Sequence, residues 1–104
     1  MATILRKPNT TREGSAWTEQ QKLAVWAKGF DIQDFSPALW KRDKCGASMN
    51  YNQYGLRDEN GRGWEIDHIN PVANGGTDEI ENLQPLYWRN NAAKSDSLIW
   101  HCGK

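Results

Sequence analysis

The chain has 104 residues, and its 13 Lys plus Arg balance 13 Asp plus Glu, so the formal net charge is zero. A hydrophobic fraction of 38% and a mean hydropathy of −0.86 allow one domain with a small core. They exclude a membrane span, which needs about 20 apolar residues in a row, and they give no polybasic tail and no disulfide-rich scaffold.

Residues 1–15 read as a mobile polar arm, because Ile4-Leu5 is too short for a signal-peptide core. Thr18 and Gln21 form a plausible capping box, and Leu23, Trp26, Ala27 and Phe30 recur at helical spacing, which predicts an amphipathic helix over 19–28. Ser36-Pro37 looks like a helix start, with the short helix PALWKR after it. Turns and short extended pieces follow from Asp43 to Gly55, then a strong turn at Asp58–Gly63. Residues 64–69 alternate as a strand should, and Pro71 ends them. A loop at 74–77 leads to a second extended segment over 80–86 and a helix of about two turns over 88–95.

Six of the residues are Trp, which favours a packed core or flat binding surfaces. Trp26 and Trp64 read as core, Trp40 and Trp88 as core with an amphipathic edge, and Trp17 and Trp100 as packing residues before base-stacking ones. Cys45 and Cys102 could pair, but the plain reading is two reduced thiols in a cytoplasmic protein. Charge is unevenly spread: residues 1–64 hold 10 basic and 7 acidic side chains, and residues 65–104 hold 3 and 6. The acidic half is where a cation is expected, and the basic half is where a polyanion is expected.

The segment Trp64–Lys94 carries Asp67-His68, Gly75-Gly76, Asn82-Leu83-Gln84, Asn91 and Lys94 at fixed spacing. Any one of these is ordinary, but the joint pattern resembles the HNH endonuclease family, and VWAKGF, WKRDKCGAS and YGLR upstream are similar to its small bacterial members. The resemblance implies an α+β fold around a ββα-metal core at about 64–95, with helical elements before it. It also implies phosphodiester hydrolysis, with DNA as substrate and RNA as an alternative.

That reaction needs a deprotonated water, a Lewis acid on the phosphoryl oxygens and help for the leaving oxygen. The resemblance assigns the base to His68, a residue type suited to proton transfer near neutral pH. It assigns one divalent cation, Mg²⁺ before Mn²⁺, to the oxygens of Asp67 and Asn91. Asn82 joins the catalytic set by tying down the loop that orients the His, and Gly75-Gly76 lets that loop turn. Arg57, Arg89 and Lys94 are candidate phosphate contacts, and Glu65 reads as a structural pair.

Many family members hold a structural zinc between two CxxC knuckles. Here the corresponding segments are Cys45-Gly-Ala-Ser48 and Tyr87-Trp88-Arg89-Asn90, so one thiol stands where four ligands are needed and no structural zinc is expected. Packing of the tryptophans is expected in its place. The rival readings are a nucleic-acid-binding module with a decayed site, and an interaction domain of the kind an inhibitor protein targets. A monomer or weak dimer, with no membrane partner, fits all three.

Overall fold

The computed structural model describes residues 6–103. Thr18 opens helix α1 (Glu19–Trp26) with the expected capping box: its Oγ accepts from Gln21 N at 3.1 Å and its N–H donates to Gln21 Oε1 at 2.9 Å. The helix buries only its last turn, Val25 and Trp26, while Leu23 and Phe30 are exposed. The expected apolar stripe is therefore corrected: an eight-residue helix docks by one end, and Trp26 fastens that end by donating its indole N–H to Pro37 O at 2.8 Å.

Three short antiparallel strands follow: β1 (Phe30–Asp31), β2 (Trp40–Arg42) and β3 (Ser48–Asn50), in spatial order β1-β2-β3. The helix expected over PALWKR is replaced by a single turn closing on Ser36 O, and Trp40–Arg42 continues as the central strand. An isolated helix of two turns is marginal, whereas β2 gains ladder bonds on both sides and an ion pair between the buried Lys41 and Asp31 at 3.0 Å.

A 3₁₀ turn (Tyr51–Gln53) leads to β4 (Trp64–His68), which pairs antiparallel with β5 (Leu83–Tyr87) from Trp64↔Tyr87 to His68↔Leu83. Helix α2 (Trp88–Lys94) follows β5 directly. The second extended segment starts three residues later than expected, because Ile80–Asn82 forms a 3₁₀ turn. Lys28 Nζ bonds the carbonyls of Ile80 and Leu83, and Asn82 turns its amide back onto the preceding loop. Strand β4 is buried at all five positions. Trp64 and Ile66 face the core with Trp17, Val25, Trp26, Met49, Leu83 and Tyr87, while α2 covers Glu65 and Asp67 on the other face.

Among the described residues the outer edge of β4 has no neighbouring strand, and three of its polar groups are met individually. Gly55 N donates to Trp64 O, Asn9 Oδ1 accepts from Ile66 N at 2.7 Å, and Lys94 Nζ donates to His68 O at 2.9 Å. Residues 6–15 are consequently fixed to the domain, with further bonds from Tyr54 Oη to Asn9 and from Arg12 N to Asp78. The described part of the expected mobile arm thus makes hydrogen bonds to the domain; residues 1–5 lie outside the described residues.

Cys45 and Cys102 form a disulfide with a Cα–Cα distance of 5.4 Å, so the expected reduced thiols are corrected. Beside it the two knuckle-like segments are joined by Asp43, which is 2% exposed. Its Oδ1 accepts from Cys45 N and Ala47 N, and its Oδ2 from Tyr87 N and Asn90 Nδ2, all between 2.8 and 3.0 Å. A buried carboxylate and a disulfide thus join the two knuckle-like segments and their surroundings. Among the described residues no helix is long and apolar enough to cross a membrane.

Candidate active site

Strand β4 and helix α2 converge on a pocket of about 220 Å³ lined by Asp67, His68 and Asn91, with Arg6 and Arg57 at its wall, and the loop after β4 reaches His68 through Asp78. The loop is held by Asn82. Its Oδ1 accepts from Asn70 N at 2.8 Å, and its Nδ2 donates to Asn70 O at 3.1 Å and Thr77 O at 2.8 Å. The two glycines serve this loop differently. Gly75 takes a φ of +87°, in the left-handed region. Gly76 lies against Asn70, where an added Cβ would fall 1.7 Å from the carbonyl oxygen.

Asn91 is oriented by a chain of charges. Arg57 grips Glu65 with two hydrogen bonds of 2.8 Å, and Glu65 accepts from Asn91 Nδ2 at 2.8 Å. An ionised carboxylate only accepts, so the amide nitrogen must face Glu65 and the amide oxygen is left for the pocket. Arg57 holds its proton more firmly than usual, chiefly through the bond to Glu65. Its side chain remains 38% exposed.

Asp67 is 6% exposed, and burial raises its pKa above the ordinary carboxylate value. The bond from Gln84 Nε2 (2.9 Å to Oδ2) and the Lys94 ammonium (3.1 Å to Oδ1) act against that rise. Lys94 itself is buried, so the structure corrects its expected place at a phosphate. The last turn of α2 faces inward, and the ammonium is engaged by Asp67 and the carbonyl of His68. Arg89 is exposed, and its guanidinium lies 4.5 Å from the centre of the Trp88 ring, with that of Arg57 at 6.0 Å.

His68 is 3% exposed, packs on Trp17 with ring centroids 5.6 Å apart, and sets Nε2 2.7 Å from Asp78 Oδ1. The structure thus brings Asp67, His68, Asn91 and Arg57 to one pocket, sets Asn82 behind its loop, and leaves Arg89 on the surface beside it. It adds Arg6, Asn9 and Asp78, which sequence reasoning missed, and gives site contacts to Trp17 and Gln84, which the sequence marked only for packing and pattern; for Asp78 the visible signal was a carboxylate directly after Gly-Gly-Thr.

Two neutral or acidic oxygen donors, one a desolvated carboxylate, fit a divalent cation that keeps most of its water. Among the described residues no three His, Cys, Asp or Glu side chains gather as a closed metal cluster.

The HNH endonuclease family model matches residues 45–97, about half of the chain. The chain belongs to the HNH endonuclease family. No curated protein and no solved structure matches it. The matched range begins at Cys45, in the segment bracketed by Asp43, and takes in β4, the loop, β5 and α2. It therefore contains every HNH residue of the pocket, while Arg6, Asn9 and Trp17 come from outside it.

Proposed function

We propose that this HNH protein is a metal-dependent endonuclease that hydrolyses phosphodiester bonds of DNA, its β4–β5–α2 unit serving as a ββα-metal core. The observation that carries this reading is the meeting of Asp67, His68 and Asn91 in one pocket that also presents two arginines. His68 takes a proton from the attacking water. Asp67 and the amide oxygen of Asn91 would hold Mg²⁺, or Mn²⁺ in its place, and that ion would supply Lewis-acid chemistry for the phosphoryl and leaving oxygens. Arg57 keeps one guanidinium nitrogen, Nη1, outside its bonds to Glu65, and that group faces a phosphate together with Arg6. Arg89 extends the basic surface. The family resemblance implies products with 5′-phosphate ends. Binding rests on phosphate contacts and weakens as salt rises.

The test is supercoiled plasmid with wild-type protein and Mg²⁺ or Mn²⁺, then with EDTA, then with His68→Ala. Nicking should stop in EDTA and fall at least about 100-fold in the variant. Nicking that survives both excludes this mechanism.

One observation favours a second reading, a DNA-binding module without turnover: the Lys94 ammonium already sits on Asp67. That reading predicts salt-sensitive DNA binding, no cleavage with either metal, and no thermal stabilisation by either.

A further inference from the structure

We infer that Asp78 is the positioning residue for His68, and that Asn82 acts on His68 through it. The inference rests on the nuclease reading for its catalytic meaning, and on geometry alone for the positioning itself.

Asp78 Oδ1 lies 2.7 Å from His68 Nε2. A carboxylate ionised at neutral pH has no proton to give, so the hydrogen in this contact belongs to Nε2. The imidazole is then held as the Nε2–H tautomer, with the lone pair on Nδ1. Among the described residues Nδ1 makes no hydrogen bond, and His68 lines the pocket that holds Asp67 and Asn91. Nδ1 is therefore the nitrogen available to a water in that pocket.

Besides His68, two hydrogen bonds hold the Asp78 carboxylate, and a third holds the residue before it. Arg12 N donates to both of its oxygens, at 2.9 and 3.1 Å, and so binds residues 6–15 to the loop. The preceding residue, Thr77, has its carbonyl held by Asn82 Nδ2 at 2.8 Å. On its other face His68 is backed by the Trp17 ring. The ring thus has one carboxylate to fix its tautomer and one aromatic wall to fix its plane. Asn82 makes no hydrogen bond to the His68 side chain among the described residues; it holds the backbone that carries Asp78. A carboxylate opposite the working nitrogen also favours the imidazolium formed when water gives up its proton.

Two measurements on the full chain test this. Long-range ¹H–¹⁵N spectra at neutral pH read the His68 tautomer without reference to activity. Wild type should show Nε2–H, and Asp78→Ala should show a mixture of tautomers. Steady-state nicking should show kcat lowered roughly 10- to 100-fold in Asp78→Ala with KM unchanged. Asp78→Asn, whose amide oxygen can still accept from Nε2–H and Arg12 N–H, should retain the tautomer and recover part of kcat. A wild-type ring protonated on Nδ1 overturns the inference, and that spectrum decides even where Asp78→Ala fails to fold. An Asp78→Ala protein with wild-type tautomer and wild-type kcat overturns it equally. Should wild type cut no DNA while its tautomer still depends on Asp78, the positioning stands and the nuclease reading falls.

Discussion

Asp43 and Asp67 are both buried carboxylates, and the regions around them differ in what they ask of the charge. Around Asp43, three backbone N–H groups and an asparagine amide close on the two oxygens, and the disulfide stands beside them. Around Asp67 the partners are the side chains of Gln84 and Lys94, with no backbone N–H among them, and the carboxylate lines a pocket. The first arrangement spends a charge on joining two chain segments. The second keeps a desolvated carboxylate, met by two side chains, at the wall of a pocket. Burial alone therefore does not mark a functional acid; the rigidity of its donors and its access to a cavity do.

Four predictions probe the Asp43 side, then the Asp67 side. The largest effect should follow loss of the disulfide. It closes a loop with a sequence separation of 57, so the Cys45→Ser, Cys102→Ser pair should lose up to about 4 kcal/mol in urea denaturation, leaving Mg²⁺ affinity unchanged in the folded fraction. Asp43→Ala strands several buried donors and should cost about 3 kcal/mol. A loss under about 1 kcal/mol in that variant would dissolve the contrast between the two carboxylates. On the other side, Asn91→Ala should weaken Mg²⁺ binding by about tenfold, measured by calorimetry. Asn91→Asp should not restore it, because Glu65 then faces a second carboxylate instead of an amide donor.

The smallest effect is in pH dependence. Burial raises the folded pKa of Asp67 above its unfolded value, so the folded state holds that proton more tightly. This contribution to stability is present in full below the unfolded value and is lost as pH rises through the raised folded one. In metal-free buffer, thermal melts should therefore show wild type losing ground to Asp67→Asn as pH climbs through that window. Equal pH profiles for the two proteins would remove the desolvated carboxylate from the account.

What could be read in the sequence was what lies close along the chain or in a fixed pattern. Strand β4, helix α2 and the Asp67, His68, Asn82, Asn91 set belong to that kind, as does the capping box at Thr18. What could not be read depended on partners far away. Asp43 meets Tyr87 across 44 positions, Lys94 meets the His68 carbonyl across 26, and Arg12 meets Asp78 across 66. Lys94 looked like a surface cation because it sits in the last turn of a helix, and only the packing of α2 on β4 turns it inward. Trp40–Arg42 looked helical after Ser36-Pro37 until two neighbouring strands outweighed local preference. Cys45 and Cys102 carried no pairing signal in a chain of otherwise unremarkable cysteine content. The net charge of zero averages a pocket that holds carboxylates with arginines at its wall.

The central claim is that Asp67 serves a cation and not the fold. Its most direct test is the rate of plasmid nicking in Mg²⁺ by Asp67→Asn beside wild type, with circular dichroism on both. Wild-type nicking that stops in EDTA, with a folded variant at least about 100-fold slower, is the predicted result. A folded Asp67→Asn protein that nicks at the wild-type rate would contradict it.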